Sequence, residues 1–181
     1  MNFVEPVRDK DILNKIKKDL YERNEKFYIM FMVGICLGLR ISEILQLRVA
    51  DVKNKKETTI RQPKTGKEVS VAFNSDLLKA LSHYCTDRDP HEALIPLDNN
   101  EYKSIDRTWA YKVLNQTAKK YGLDNIGTHT MRKTCGYHFY KQTNDIATLM
   151  VWFNHASQRE TLIYIGITRE SIRKAMVNFK I

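Results

Sequence analysis

The sequence predicts a mainly α domain with one small antiparallel β-sheet, an α+β fold. Three observations predict it. Apolar residues recur at helical spacing through most of the 181 residues. The spacing changes only around 58–73, where two short β-rich runs flank the turn sequence PKTGK. Helical patterning then resumes and continues to the end of the chain.

Asp9 is placed to cap a first helix carrying Ile12, Ile16 and Leu20. Asn24 caps a second, with Tyr28, Phe31, Met32 and Ile35 on its apolar side, and Gly38 ends it in a left-handed turn. A short helix follows with Ile41, Ile44, Leu45 and Leu47. The two strands cover 58–61 and 68–73, and are the only convincing β segment. Leu77, Leu78, Leu81 and Tyr84 mark another helix, as do Ile105, Trp109, Val113 and Leu114. Short helices follow from Thr128 onward. Asn144 and Asp145 start one, and Ser157 with Glu160 forms the capping-box pattern of the next, which carries Tyr164. Thr168 caps a last helix with Ile172, Ala175, Met176 and Phe179 on one side.

Composition narrows the classes. Hydrophobic residues make up 43%, enough to bury a core without covalent staples. The net charge of +9 favours a polyanionic partner, because Lys and Arg that neutralise phosphates release counterions. An anionic membrane surface or ribosomal RNA would satisfy the same charge. Three widely spaced cysteines, Cys36, Cys85 and Cys135, argue against a disulfide framework. The start, MNFVEPVRDKDI, lacks the apolar core of a signal peptide, and the longest apolar run, 27–39, is too short to span a bilayer. A cytoplasmic protein is expected.

Four segments carry groups capable of chemistry. In GLRISE (38–43), Arg40 lies one helical turn from Glu43; alone, such a pair more often stitches two helices together. Lys64 sits at the tip of the PKTGK hairpin, where most lysines are solvated and silent. In HTMR, the spacing of His129 and Arg132 puts both on one helix face, and a proton-transfer group beside a guanidinium suits a phosphate. In NHASQRETLIYIGI, His155 precedes Tyr164 by nine residues; a tyrosine among Leu162, Ile163 and Ile165 is most often a core residue. Cys135 and His138 are close, but two candidate ligands do not make a zinc site.

Taken in order, Arg, Lys, His-x-x-Arg, His, Tyr resembles the tyrosine recombinase or phage integrase family. The resemblance runs from about residue 27 to 167 and is sharpest in GLRISEILQLRVADV, PKTGKEVSV, THTMRKT and NHASQRETLIYIGI. It implies the tyrosine recombinase catalytic-domain architecture over 1–181, without the separate helical DNA-clamping domain that members usually carry in front. It further implies Arg40 and Arg132 as catalytic arginines, Lys64 as the hairpin lysine, His129 and His155 as catalytic histidines, Tyr164 as nucleophile and Glu43 as a brace. The implied activity is site-specific cutting and rejoining of DNA strands through a 3′-phosphotyrosine, with no metal, cofactor or ATP. The implied partners are double-stranded recombination sites, bound by four copies of a chain that is a monomer in free solution. A DNA-binding module without catalysis and a strand-relaxing topoisomerase are the rival readings, with a globular RNA-binding protein as a third that leaves the ordered constellation unexplained.

Overall fold

The computed structural model describes residues 4–61, 66, 68–124, 126, 127 and 129–179. Within these, α1 (Lys10–Arg23) and α2 (Glu25–Leu37) pack against each other. The short α3 (Ile41–Ile44) and a 3₁₀ turn (Val49–Asp51) lead into β1 (Glu57–Arg61) and β2 (Glu68–Ala72). Then come α4 (Ser75–Tyr84), β3 (Pro96–Leu97), β4 (Asn100–Ser104) and α5 (Arg107–Lys119). Four further helices close the described chain: α6 (Thr130–Thr143), α7 (Ile146–Phe153), α8 (Gln158–Tyr164) and α9 (Ile167–Asn178).

The caps follow from local chemistry. The Asp9 carboxylate accepts from the Asp11 and Ile12 amides, and the Asn24 side chain from the Lys26 amide. The Ser157 hydroxyl accepts from the Glu160 amide. Gly38 ends α2 at φ 61°, in the left-handed region that glycine enters at least cost.

β1 and β2 pair antiparallel, with Glu57 opposite Ala72 and Arg61 opposite Glu68. The sequence reading holds there and falls short on a second hairpin, formed by β3 and β4. β3 is only two residues long and β4 reads NEYKS, so neither offers an apolar alternation to detect. The last helix also begins one residue earlier than Thr168, at Ile167, and is entered through Gly166 at φ 81° rather than through a threonine cap.

α2 is the axis of the fold, buried along most of its length from Phe27 to Leu37. It packs on α1, α4 and α6. The main core gathers around it, with Leu20, Ile29, Met30, Leu37, Ile44, Leu77, Leu94 and Met131 fully enclosed. A smaller apolar cluster of Tyr137, Leu149, Phe153 and Ile165 joins α6 to α7 and α8. Gly136 makes that approach possible: a Cβ there would stand 2.7 Å from both Ile165 and Phe153 side-chain carbons. None of the described helices is long and apolar enough to cross a membrane.

Candidate active site

The site forms where the end of α2, the start of α6, the end of α7 and the end of α8 meet. Arg40 stands two residues past the Gly38 turn and caps α3. Its backbone amide donates to Glu43 Oε2 at 2.7 Å and its Nη1 to Glu43 Oε1 at 2.8 Å. Glu43 itself is buried, with 2% of its side chain exposed, while the Arg40 side chain keeps 30%. A buried carboxylate thus holds a guanidinium that still reaches the surface.

Arg132 is enclosed, at 2% exposure. Its Nη1 donates to the Gly38 carbonyl at 2.6 Å and its Nη2 to the Phe153 carbonyl at 3.1 Å. Both carbonyls lie at helix C-termini, where the aligned peptide dipoles present partial negative charge. The guanidinium also stacks over the Phe153 ring, 4.1 Å from its centroid. These contacts compensate a buried cation, although burial pushes its pKa down; the neighbouring Arg40 adds to the depression, and Tyr164 and Glu43 oppose it.

His129 caps α6 and remains at the surface, whereas Arg132 points inward from the first turn, so the two do not share one face in full. The His129 imidazole is nevertheless crowded. Desolvation by surrounding protein, then Arg40, Arg107, Arg132 and Lys133, push it below its ordinary value. It therefore rests neutral at pH 7. Its Nδ1 lies 3.4 Å from the Tyr164 hydroxyl, a long hydrogen bond.

Tyr164 ends α8 and is half-buried. Burial pushes its phenol pKa up, and Arg132 and Arg40 only partly offset that. His155 stacks edge-on against it, with centroids 4.9 Å apart, and Phe153 backs both rings at 5.8 and 5.7 Å. His155 Nδ1 lies 3.1 Å from the buried Thr161 hydroxyl, which donates its own proton to the Ser157 carbonyl at 3.0 Å. The ring nitrogen is then the donor in that pair, which leaves Nε2 as the unprotonated nitrogen of the neutral ring. Burial also pushes the His155 pKa down.

Five of the six expected groups, Arg40, His129, Arg132, His155 and Tyr164, are thus brought together, with Glu43 behind them. Lys64 lies outside the described residues; β1 and β2 flank its segment. Sequence reading missed Phe153, Thr161 and Arg107. A core phenylalanine, a helical threonine and a surface arginine carry no signal of their own. Cys135 and His138 are engaged elsewhere, with the thiol facing the Cys36 carbonyl at 3.8 Å and the imidazole bonded to the Val7 carbonyl at 2.9 Å.

The helical layout is that of the tyrosine recombinase catalytic domains. A crystal structure of XerA recombinase superimposes on 98% of this chain with a TM-score of 0.75 at 20% identity, using 65% of that chain. XerH bound to a palindromic difH substrate in a post-cleavage complex gives 0.71 over 98% of this chain and 54% of its own, at 17% identity. The sequence is nearer still to the probable integrase/recombinase YoeC of Bacillus subtilis, 39% identical over 97% of this chain and 96% of that protein. Tyrosine recombinase XerA of Pyrococcus furiosus is 25% identical over 92% of this chain, which spans only 58% of that relative. Residues 5–170 match the phage integrase family. The chain belongs to that family, among the tyrosine recombinases.

Proposed function

We propose that this chain is a catalytic domain that cuts and rejoins DNA at specific sites through Tyr164. The observation that carries the reading is the Tyr164 hydroxyl 3.4 Å from His129 Nδ1, beside the buried Arg132. Only roughly 0.1% of an ordinary tyrosine is phenolate at neutral pH. Burial lowers that share here, so the phenol needs a base as it attacks. His129 takes the proton. The tyrosine oxygen bonds to phosphorus and the bond to the 5′ oxygen breaks, leaving a 3′-phosphotyrosine. The 5′ oxygen leaves as a hydroxyl with a proton from Lys64. A 5′-hydroxyl of a second strand reverses the step and frees Tyr164, so the ester conserves the bond energy and no ATP is needed.

Arg40 and Arg132 clamp the non-bridging oxygens, whose charge grows in the five-coordinate transition state. The phosphate's own charge favours protonation of His155, whose Nε2–H then donates to it while Nδ1–H stays on Thr161. Glu43 keeps Arg40 in reach.

Double-stranded recombination sites are the proposed partner, in line with the net charge of +9. Recombination breaks four strands, which calls for four protomers on two duplexes. The segment suited to link them is α9, whose Ile172, Met176 and Val177 lie 59%, 65% and 77% exposed. The protein is a monomer off DNA in this reading.

A nicked suicide duplex carrying the cognate site tests the reaction. The parent chain should form a covalent adduct, and Tyr164→Phe should form none while binding DNA almost as well. A 5′-bridging sulfur, which leaves without a proton, should rescue Lys64→Ala. An undiminished adduct in Tyr164→Phe, or no sulfur rescue, contradicts the assigned roles.

A further inference from the structure

Lys133 follows Arg132 on α6 and has no part in the reaction above. The residue is 7% exposed, and lysines are seldom so buried without a specific partner. Its Nζ donates to the Val4 carbonyl at 2.9 Å and lies 5.0 Å from the centroid of the Tyr164 ring. Lys133 and Tyr164 also line one open recess of about 460 Å³, together with Ser157, Arg159, Glu160 and Ile163.

The chain ahead of α1 is fixed firmly enough to aim that ammonium. The Val7 amide donates to Thr134 Oγ1 at 2.9 Å, and the Val7 carbonyl bonds His138 Nε2 at 2.9 Å. The Glu5 carboxylate bridges Arg8 at 2.6 Å and Arg169 of α9 at 2.9 Å. Residues 4–8 thus bind three positions of α6 and one of α9, on either side of the tyrosine.

We propose that Lys133 is a positioning residue for strand cleavage: the Val4 carbonyl aims its ammonium at the Tyr164 ring, where it favours the negative charge that the phenol gains as its proton leaves. A cation near an aromatic ring is attracted to its π electrons, and the attraction strengthens where water is excluded and the ring gains charge. The inference rests on Tyr164 being the nucleophile.

The charges around the pair are defined. Arg132 and His129 of α6, Arg40 and Glu43 of α3, and His155 face Tyr164. Glu5, Arg8 and Arg169 face Lys133. Burial, then Arg169 and Arg8 against the favourable Glu5, hold Lys133 below the ordinary lysine value.

The test compares Lys133→Met, which removes the charge, with Lys133→Arg, which keeps it. In the intact chain, the ratio of parent to Lys133→Met single-turnover adduct rates cancels every titration the two share. At neutral pH the ratio should be roughly tenfold, with DNA affinity unchanged. It should shrink toward one as pH rises and the parent's lysine discharges, before the ordinary lysine pKa of about 10.4. Lys133→Arg should retain the parent rate. A ratio that is constant with pH would make Lys133 a strut and overturn the proposal, as would a ratio of one throughout.

A second measurement needs no DNA and separates this inference from the nucleophile assignment. Tyr164 ionisation is read by phenolate absorbance, as the difference between each variant and the same variant carrying Tyr164→Phe. Tyr164 should ionise at lower pH in Lys133→Arg, which keeps a positive charge beside the ring, than in Lys133→Met. Identical titrations would overturn the proposal even if Tyr164 forms the adduct; a shift without any adduct would instead sink the nucleophile assignment. Should Lys133→Met not fold, Lys133→Gln, neutral but able to donate to the Val4 carbonyl, gives the same comparison.

Discussion

The arginine side of the site and the tyrosine side are held by different means. Arg132 is anchored by two backbone carbonyls and a ring face inside the protein, and Arg40 by both oxygens of a buried carboxylate. Tyr164 has ring edges around it, the Lys133 ammonium 5.0 Å from its centroid and a 3.4 Å contact to His129. In the proposed reaction the two arginines meet a phosphate of fixed charge, and groups set in advance leave little reorganisation for its arrival. Tyr164, which in the proposed reaction must move, form a bond and later release it, is held by contacts that bend at little cost. The smaller apolar cluster beneath it has Phe153 at its centre, and that ring touches both Arg132 and the Tyr164 ring.

The largest effect that would break this contrast is on Arg132. Arg132→Ala should lower adduct formation roughly 10³-fold or more, by removing charge stabilisation from the transition state. It should also destabilise the fold by about 2–4 kcal/mol, because the Gly38 and Phe153 carbonyls lose their buried donor. Tyr164→Phe, expected to form no adduct, should change stability by only about 0.5 kcal/mol. Urea denaturation of both variants checks this. Equal stabilities would mean that the arginine side is no better anchored than the other.

Glu43→Gln sharpens the same point at smaller scale. The amide keeps one acceptor for Arg40 but loses the charge, and a guanidinium displaced by part of an ångström should cost roughly 10–100-fold in single-turnover rate. Unchanged cleavage would show that Arg40 finds its place without the brace.

On the tyrosine side, pH is the probe. In the proposed reaction His129 is unprotonated when it accepts the phenol proton, and burial and four neighbouring cations lower its pKa from the ordinary histidine value. The rate should therefore not fall on acidification through about pH 6.5, but only below it. His129→Gln should lower the rate and remove that acid limb. A limb at or above the ordinary value would mean that the cations do not act on His129.

The smallest change concerns Phe153, which touches both sides. Phe153→Leu fills similar space at a stability cost of about 1 kcal/mol. It removes the ring under Arg132 and the edges against His155 and Tyr164. A severalfold loss of rate with near-native DNA affinity is expected. A loss as large as that of Arg132→Ala would make the two sides a single unit.

Much of this arrangement was legible in the sequence where it is local. Arg40 and Glu43 are one turn apart, and the Asp9, Asn24, Ser157 and Gly38 caps depend on neighbouring residues only. What was illegible is tertiary. That Arg132 turns inward while His129 stays outside depends on α2 and α7 ending at the same place. The β3–β4 hairpin is stitched by few residues and carries no apolar alternation. Lys133 acquires its partner only because residues 4–8 fold back over α6.

The most direct test of the account is to identify the residue bonded to DNA. The adduct trapped on a suicide substrate would be digested and the modified peptide sequenced by mass spectrometry. Among nine tyrosines, the account predicts a single modified one, Tyr164, joined to the 3′ phosphate. A nucleotide on any other side chain, or on a 5′ phosphate, would contradict it.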